Sequence, residues 1–235
     1  MHLNHYIAQA GICSRRKAVD LIKEKKISVN NQIITNPSYQ VKENDIVKYQ
    51  KKVISAQQNV YILLNKPKGY VSTTSDELGR KTIFDLIGST TAKRLYPVGR
   101  LDKDTTGLII ITNDGQLTQK LAHPKFEIQK TYLATLDKPL SHEDFQRIRQ
   151  GIKLVDGFIR VDSIAYANIK NKKKVKVKLH SGKKRVIRRI FQLLDYQVTE
   201  LDRVQFAGLT KKNLKKGSWR YLTAEEVKQL NKFNE

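Results

Sequence analysis

Residues that build crosslinks and metal centres are scarce in this chain. One cysteine, Cys13, stands in 235 residues, which excludes an internal disulfide framework and fits a reducing, cytoplasmic setting. Nothing near Cys13 could act as a base for it, so it reads as a small buried hydrophobe rather than a nucleophile. The five histidines, His2, His5, His123, His142 and His180, show no metal-ligand spacing, and there is no second cysteine to help them. No metal site is expected. The G-x-x-x-x-G-K-S/T loop is missing, and Gly99 and Gly107 do not make a dinucleotide fingerprint, so no nucleotide cofactor is expected either. No apolar run approaches the ~20 residues of a spanning helix, and Met1-His2-Leu3-Asn4 opens no signal peptide. No membrane role is expected. Acidic residues are few as well: 22 Asp and Glu face 45 Lys and Arg, for a net charge of +23. Such an excess calls for a polyanionic partner, and nucleic acid is the first choice.

The length suits two modules. In the first, Leu3, Tyr6, Ile7 and Ala10 recur at helical spacing and Gly11 stops them. Ser14 caps a second helix with Ala18, Leu21 and Ile22 on its apolar face. That helix opens with Arg15-Arg16-Lys17. Cations there oppose the macrodipole, at up to roughly 1 kcal/mol each. They fit either a phosphate docked on the helix end or a solvated basic terminus. Residues 27–34 (ISVNNQII) form a hairpin around Asn30-Asn31, and residues 41–49 a further strand with Asp45 in its turn. The polar stretch 50–59 reads as a linker, giving modules over 1–50 and 60–235 with 51–59 between them. The first 58 residues carry ten basic and four acidic groups, net +6, and the remainder carries net +17. Both modules should touch the same polyanion.

The second module is organised around residues 98–115, VGRLDKDTTGLIIITNDG. Leu108 to Ile111 is an unbroken, β-branched apolar run of the kind buried on both faces of a sheet. Asn113-Asp114-Gly115 ends it. The polar segment just before it, residues 99–107, is held against a rigid strand, where catalytic groups tend to sit. Strands are expected over 60–64, 94–98, 127–136, 161–167, 175–179 and 200–206, and residues 71–74 could pair back on the first. Helices are expected over 81–87, around Leu117 and Leu121, over 141–151, 183–194, and from Thr223 to Leu230. Val175, Val177 and Leu179 alternate with Lys176 and Lys178, one face apolar and one basic. Without a regular βαβ repeat, this order argues an α+β domain.

Asp102, Asp104 and Asp114 could in principle hold Mg²⁺ for a nuclease, but Lys103 interrupts the pair and no further carboxylates cluster there. A single Asp in a loop can act as nucleophile or general base if it stays ionised. Arg100 and Arg188-Arg189 are available to keep Asp102 so. By spacing alone, Asp102 and Arg100 fit a structural loop pair equally well.

Two resemblances add to this. Leu3, the GICSRR run of residues 11–16 and the ISVNNQ hairpin resemble the alpha-L RNA-binding module of small-subunit ribosomal protein four. The GRLDKDTTGLIIITNDG run resembles the signature of the pseudouridine synthases that modify ribosomal RNA, the RsuA/RluB/RluF family. N-K-P-x-G at residues 65–69, K-T-Y at 130–132 and R-V-I-R-R at 185–189 follow in the family's order, so the resemblance spans the chain. It implies a mixed, mainly antiparallel catalytic sheet with flanking helices behind the small module. It also implies that Asp102 attacks the target uridine, Arg100 supports the flipped-out nucleotide and Tyr132 stacks on the uracil. Arg188 pairs with the aspartate, and Ile187 packs in the pocket. Asn65, Lys66 and Lys130 join the substrate site, and Arg15, Arg16, Lys17, Lys176, Lys178, Lys184, Arg185 and Arg189 contact RNA. A base inside folded RNA must be extruded to be reached; a ring such as Tyr132 gives roughly 1–3 kcal/mol of stacking. The reaction moves no electrons or groups between molecules, in keeping with an enzyme without cofactor or metal. Where the family has Gln or Glu this chain has Val186, where it often has Asn it has Lys184, and where it tends to have Gly it has Asp195. Asp tolerates a left-handed cap, whereas Val186 removes a polar contact to RNA.

The expectation is therefore an RNA pseudouridine synthase acting as a monomer on ribosomal RNA, free or in an assembling particle, with no protein partner required. Residues 3–16 and the Lys103-Asp104 pair lean towards the large subunit. The alternative from another class is a non-catalytic RNA-binding or ribosome-assembly protein on the same scaffold, with a metal-dependent nuclease as a third.

Overall fold

The structure is a computed structural model that describes residues 1–88 and 93–234. These form two compact units, one of residues 1–60 with 93–94 and Asn113–Gly115, the other of the remaining described chain.

In the first unit, α1 (Leu3–Gln9) and α2 (Arg15–Lys23) bury Leu3, Ile7, Ala18, Leu21 and Ile22 against one another. Gly11, at φ 81°, turns the chain between them. Ser14 Oγ accepts the Lys17 amide at 3.2 Å, satisfying one of the free donors at the start of α2. Strands β1 (Ile27–Val29), β2 (Gln32–Ile33), β3 (Val47–Tyr49) and β4 (Lys52–Val53) make an antiparallel sheet in the order β2-β1-β3-β4. Asn30 and Asn31, at φ 51° and 68°, supply the two left-handed residues that a tight hairpin needs. Two expectations change here. The strand over 41–49 shortens to β3, because Asp45 Oδ2 accepts the Lys42 amide at 2.9 Å and closes a turn instead. The stretch read as linker contributes β4, after a turn at Gln50 and Lys51 with φ 48° and 67°. Neither is the Gly or Asn that marks such a turn in a sequence. Cys13 is half-buried against this core, and burial pushes its thiol pKa up, as suits a hydrophobe.

The second unit runs β5 (Tyr61–Lys66), α3 (Phe84–Ile87), β6 (Tyr96–Val98), β7 (Thr106–Thr112), α4 (Gly115–Ala122) and β8 (Lys130–Leu136). It continues with α5 (His142–Gln150), β9 (Ile152–Leu154), β10 (Gly157–Ile159), β11 (Ser163–Tyr166), β12 (Lys174–Leu179), α6 (Val186–Leu193), β13 (Val198–Phe206), β14 (Leu209–Thr210), β15 (Trp219–Tyr221) and α7 (Ala224–Asn231). The main sheet has the order β11-β12-β8-β13-β7-β5-β15, with β14 beside β13 and β6 beside β7. β13 and β7 are parallel; the other pairings are antiparallel. The expected mixed, mainly antiparallel α+β fold is the fold observed.

β7 sits near the middle of this sheet with Leu108, Ile109, Ile110 and Ile111 all at 0 % exposure, so its unbroken apolar run follows from burial on both faces. β12 alternates as expected, Val175, Val177 and Leu179 buried and Lys176 exposed. Ser141 caps α5, and Thr223 with Glu226 forms a capping box on α7. Residues 71–74 form no strand: Val71 makes one isolated bridge to Thr82. The β9–β10 hairpin and the two-to-three-residue strands β14 and β15 were not foreseen, being too short to show a period. α6 begins at Val186, later than expected, since Arg185 takes a left-handed conformation at φ 50°. Asp195 does so at φ 60°, just past the helix.

Candidate active site

The charged loop between β6 and β7 is pinned at several points. Ser72 is buried, and its hydroxyl donates to the Leu101 carbonyl at 2.9 Å and accepts the Leu101 amide at 3.2 Å. The Lys103 carbonyl accepts from the Gly69 amide at 2.9 Å and from Lys66 Nζ at 3.4 Å. The Thr105 amide closes onto the Asp102 carbonyl at 3.0 Å. Asp102 thus projects from backbone fixed on both sides, which is the support a reacting carboxylate requires.

That carboxylate opens onto a cleft of about 1070 Å³. Tyr132 of β8, Arg100, Lys130, Lys184, Arg185 and Ile187 share its wall with Asp102. Cations organise around the two loop carboxylates. Arg185 Nη1 lies 3.2 Å from Asp102 Oδ2 and 3.5 Å from Asp104 Oδ1, and Arg188 Nη2 lies 2.9 Å from Asp104 Oδ2. The expected pairing is therefore corrected: among the described residues Arg185 is the cation on Asp102, and Arg188 holds Asp104. The reason is geometric. Arg188 is one turn into α6, its side chain only 12 % exposed, and Nη1 is tied to the Val198 carbonyl at 2.6 Å. Arg185 sits at the left-handed residue before the helix and swings over the loop.

Other expected residues fall elsewhere. Asn65 and Lys66 lie on β5 and do not line the cleft. Asn65 Nδ2 donates to the Leu214 carbonyl at 2.9 Å, and Lys66, with 0 % exposure, supports the loop from beneath. Burial lowers its pKa to about 8, against the pull of Asp104 and Asp102. Lys130 does reach the cleft; burial, then the Arg203 charge, lowers it to about 8, and it donates to the His180 carbonyl at 2.9 Å. Arg189 is occupied by Asp156 at 2.9 and 3.1 Å, so it is not a free phosphate ligand. Lys176 and Lys178 project from β12, and Arg15, Arg16 and Lys17 stand exposed at the start of α2. Ser72 and Arg203 are among the cleft residues that sequence reasoning missed. Ser72 gives no sequence signal. Arg203 could have been noticed, because it sits two residues after Leu201 on the inward face of β13, where a charge is unusual.

A carboxylate within ion-pair distance of a guanidinium, an aromatic ring on the same wall and a basic surround make a site for attacking an extruded base. Residues 60–193 match the family model described as RNA pseudouridylate synthase. The chain belongs to the RNA pseudouridine synthase family. Residues 1–47 match the S4 domain model, so this synthase carries an RNA-binding module in front of its catalytic domain. Along 97 % of its length the chain is 37 % identical to the ribosomal large subunit pseudouridine synthase B of Bacillus subtilis, covering 94 % of that protein. It is 35 % identical to the dual-specificity RNA pseudouridine synthase RluF of Escherichia coli, over 100 % of this chain and 80 % of that one. A crystal structure of a pseudouridylate synthase superposes with a TM-score of 0.69 at 27 % identity, covering 98 % of this chain and 99 % of the other. As a synthase of this family, the chain converts uridine in RNA to its carbon-linked isomer. Among the described residues, no helix is long and apolar enough to cross a membrane.

Proposed function

We propose that this synthase isomerises a specific uridine of large-subunit ribosomal RNA, with Asp102 as the nucleophile on a flipped-out base. The observation that carries the reading is the placement of Asp102: on a pinned loop, in ion-pair distance of Arg185, on the wall of a cleft shared with Tyr132. The large-subunit assignment draws on the Bacillus subtilis relative, a ribosomal large subunit pseudouridine synthase. In this reading Arg185 keeps Asp102 aimed, and Tyr132 stacks on the uracil. Arg100 supports the displaced nucleotide, Ile187 closes the apolar side of the pocket, and Lys130 and Lys184 add positive charge at its wall. Lys66 serves it indirectly, through the Lys103 carbonyl that it holds, whereas the Asn65 side chain is bonded to Leu214 instead. Arg15, Arg16 and Lys17 take phosphates at the N-terminal end of α2, where dipole and cations act together. Lys176 and Lys178 extend the basic surface. The enzyme works as a monomer in the cytoplasm.

The test is single-turnover conversion in unmodified ribosomal RNA by wild type and by Asp102→Asn, which removes the charge and keeps the shape. Conversion at one large-subunit site, lost in the variant while RNA binding persists, is the expected result. Tight binding without conversion in any ribosomal RNA or precursor particle would instead favour the assembly-factor reading.

A further inference from the structure

Among the described residues, a buried guanidinium nitrogen of Arg203 at the cleft has no hydrogen-bond partner. Arg203 of β13 lies directly across from Tyr132 of β8 and beside Gly107 of β7, and it is 2 % exposed. Directly opposed residues share a face of the sheet, and Arg203 and Tyr132 both line the cleft. Two contacts fix the guanidinium: Nε donates to the Leu108 carbonyl at 2.7 Å, and the central carbon lies 4.4 Å from the Phe206 ring centroid. Nη2 is enclosed and makes no hydrogen bond. The neighbouring carboxylate, Asp202, is taken by Lys211 and by Thr106 Oγ1. Among the described residues no carboxylate lies within ion-pair distance of Arg203.

Burying a cation with neither counter-ion nor full hydrogen bonding is costly, and structures retain it where a ligand completes the set. Lys66 and Lys130 sit close enough that the Arg203 charge contributes, after burial, to lowering Lys130 and adds to the lowering of Lys66. Arg203 and Lys130 line the cleft and Lys66 is buried behind the loop, so positive charge gathers on this side. A flat base stacked on Tyr132 brings its carbonyl edge to the face of the sheet that Arg203 shares.

We propose that Arg203 is a catalytic residue: through Nη2 it takes a carbonyl oxygen of the target uracil and stabilises the negative charge that gathers there during isomerisation. This rests on the reading of the cleft as the uridine site. In the reaction the C1′–N1 bond breaks as an Asp102 oxygen bonds to C1′, and the uracil keeps the electron pair, which spreads from N1 onto its carbonyl oxygens. The ring turns, C5 forms the new bond to C1′ while the Asp102 oxygen leaves with its electron pair, C5 gives up its proton and N1 takes one from solvent, so nothing is gained or lost overall. If Asp102 adds to the ring first, the displaced pair again comes to rest on a uracil carbonyl. On either route a preorganised, buried donor acts where charge develops.

The test is a cycle of substitutions in protein and substrate. Single-turnover rates at saturating RNA are measured for wild type and Arg203→Lys on RNA with uridine, 2-thiouridine or 4-thiouridine at the target, sulfur being the poorer acceptor. Lysine keeps the charge and a donor for Leu108 but lacks Nη2. The expected result is a loss of about tenfold or more for wild type on one of the thio RNAs. Arg203→Lys should be slowed by about 100-fold on uridine and show little further loss on that same thio RNA. Equal thio effects in both proteins on both RNAs overturn the assignment. Should Arg203→Lys fail to fold, wild type decides: unchanged rates on both thio RNAs overturn the assignment, and a loss on one upholds it. A wild type inactive on uridine RNA overturns the functional reading itself, and this inference with it.

Discussion

Replacing Gly107 with alanine tests whether the close seam between β7 and β13 sets the active-site loop. Gly107 is the second residue of β7, five beyond Asp102, and stands in parallel register with Arg203. Its φ is 114°, and an added Cβ would come within 2.8 Å of three backbone atoms of Arg203. A side-chain-bearing residue at such a φ costs about 1–3 kcal/mol. The overlap is with backbone, which has no flexible end to yield, so the two strands must part, at about 1–3 kcal/mol more. The sum is roughly 2–6 kcal/mol. At about 2–4 °C per kcal/mol for a protein of this size, the melting temperature should fall by roughly 5–20 °C. Parting the strands also moves Arg203 and the root of the Asp102 loop, so single-turnover rates should fall at temperatures where the variant is still folded. Gly69→Ala is the control, since Gly69 has φ 97° but nothing within 4 Å of the added carbon. It should suffer the strain alone. Thermal unfolding followed by circular dichroism reads both variants, and a Gly107→Ala protein melting no lower than Gly69→Ala would refute the close-approach reasoning.

Further outcomes are expected. Arg15→Ala with Arg16→Ala should weaken RNA binding and reduce the slope of log affinity against log salt by about 1–2, while turnover at saturation stays near wild type; binding titrations at several salt concentrations check this. Ser72→Ala removes both hydrogen bonds that hold Leu101 and should cost about 1–3 kcal/mol in urea unfolding, with a larger fall in turnover than in RNA affinity. Arg188→Ala, which leaves Asp104 with only Arg185 at 3.5 Å and the Val198 carbonyl without its donor, should lower the melting temperature more than Arg185→Ala, whose pair is half exposed. For Lys66, the folded pKa of about 8 lies below the ordinary 10.5. The unfolded chain then binds more protons between those values, so its burial penalty is complete below about pH 8 and is relieved as pH rises towards 10.5. Wild type should therefore gain stability relative to Lys66→Met between pH 7.5 and pH 9.5; a constant difference between the two would contradict the assignment.

Much of the fold was legible because its signals are local. Ser14, Ser141 and Thr223 cap helices through their own side chains, and Leu108 to Ile111 declare a strand buried on both faces. The turn at Gln50 and Lys51 and the strand β4 were hidden, because the left-handed conformation there is imposed by pairing with β3 rather than favoured by the residues. The same holds for the start of α6, where Arg185 adopts φ 50°.

The candidate site divides along that line. The sequence by itself determined the family, through the long run around Asp102, and determined the basic charge that selects a polyanion. It also specified Asp102, Tyr132 and the arginines before and within α6 as the set to consider. Tertiary structure alone decided which cation serves which carboxylate: Arg188, anchored on Val198, goes to Asp104, and Arg185 is left for Asp102. It also withdrew Asn65 and Lys66 from the cleft wall, placed Ser72 under the loop, and set an unpartnered Arg203 beside Tyr132. Residues distant in the chain meet through sheet register and helix placement, and a residue's type carries no record of which distant carbonyl or carboxylate it will face.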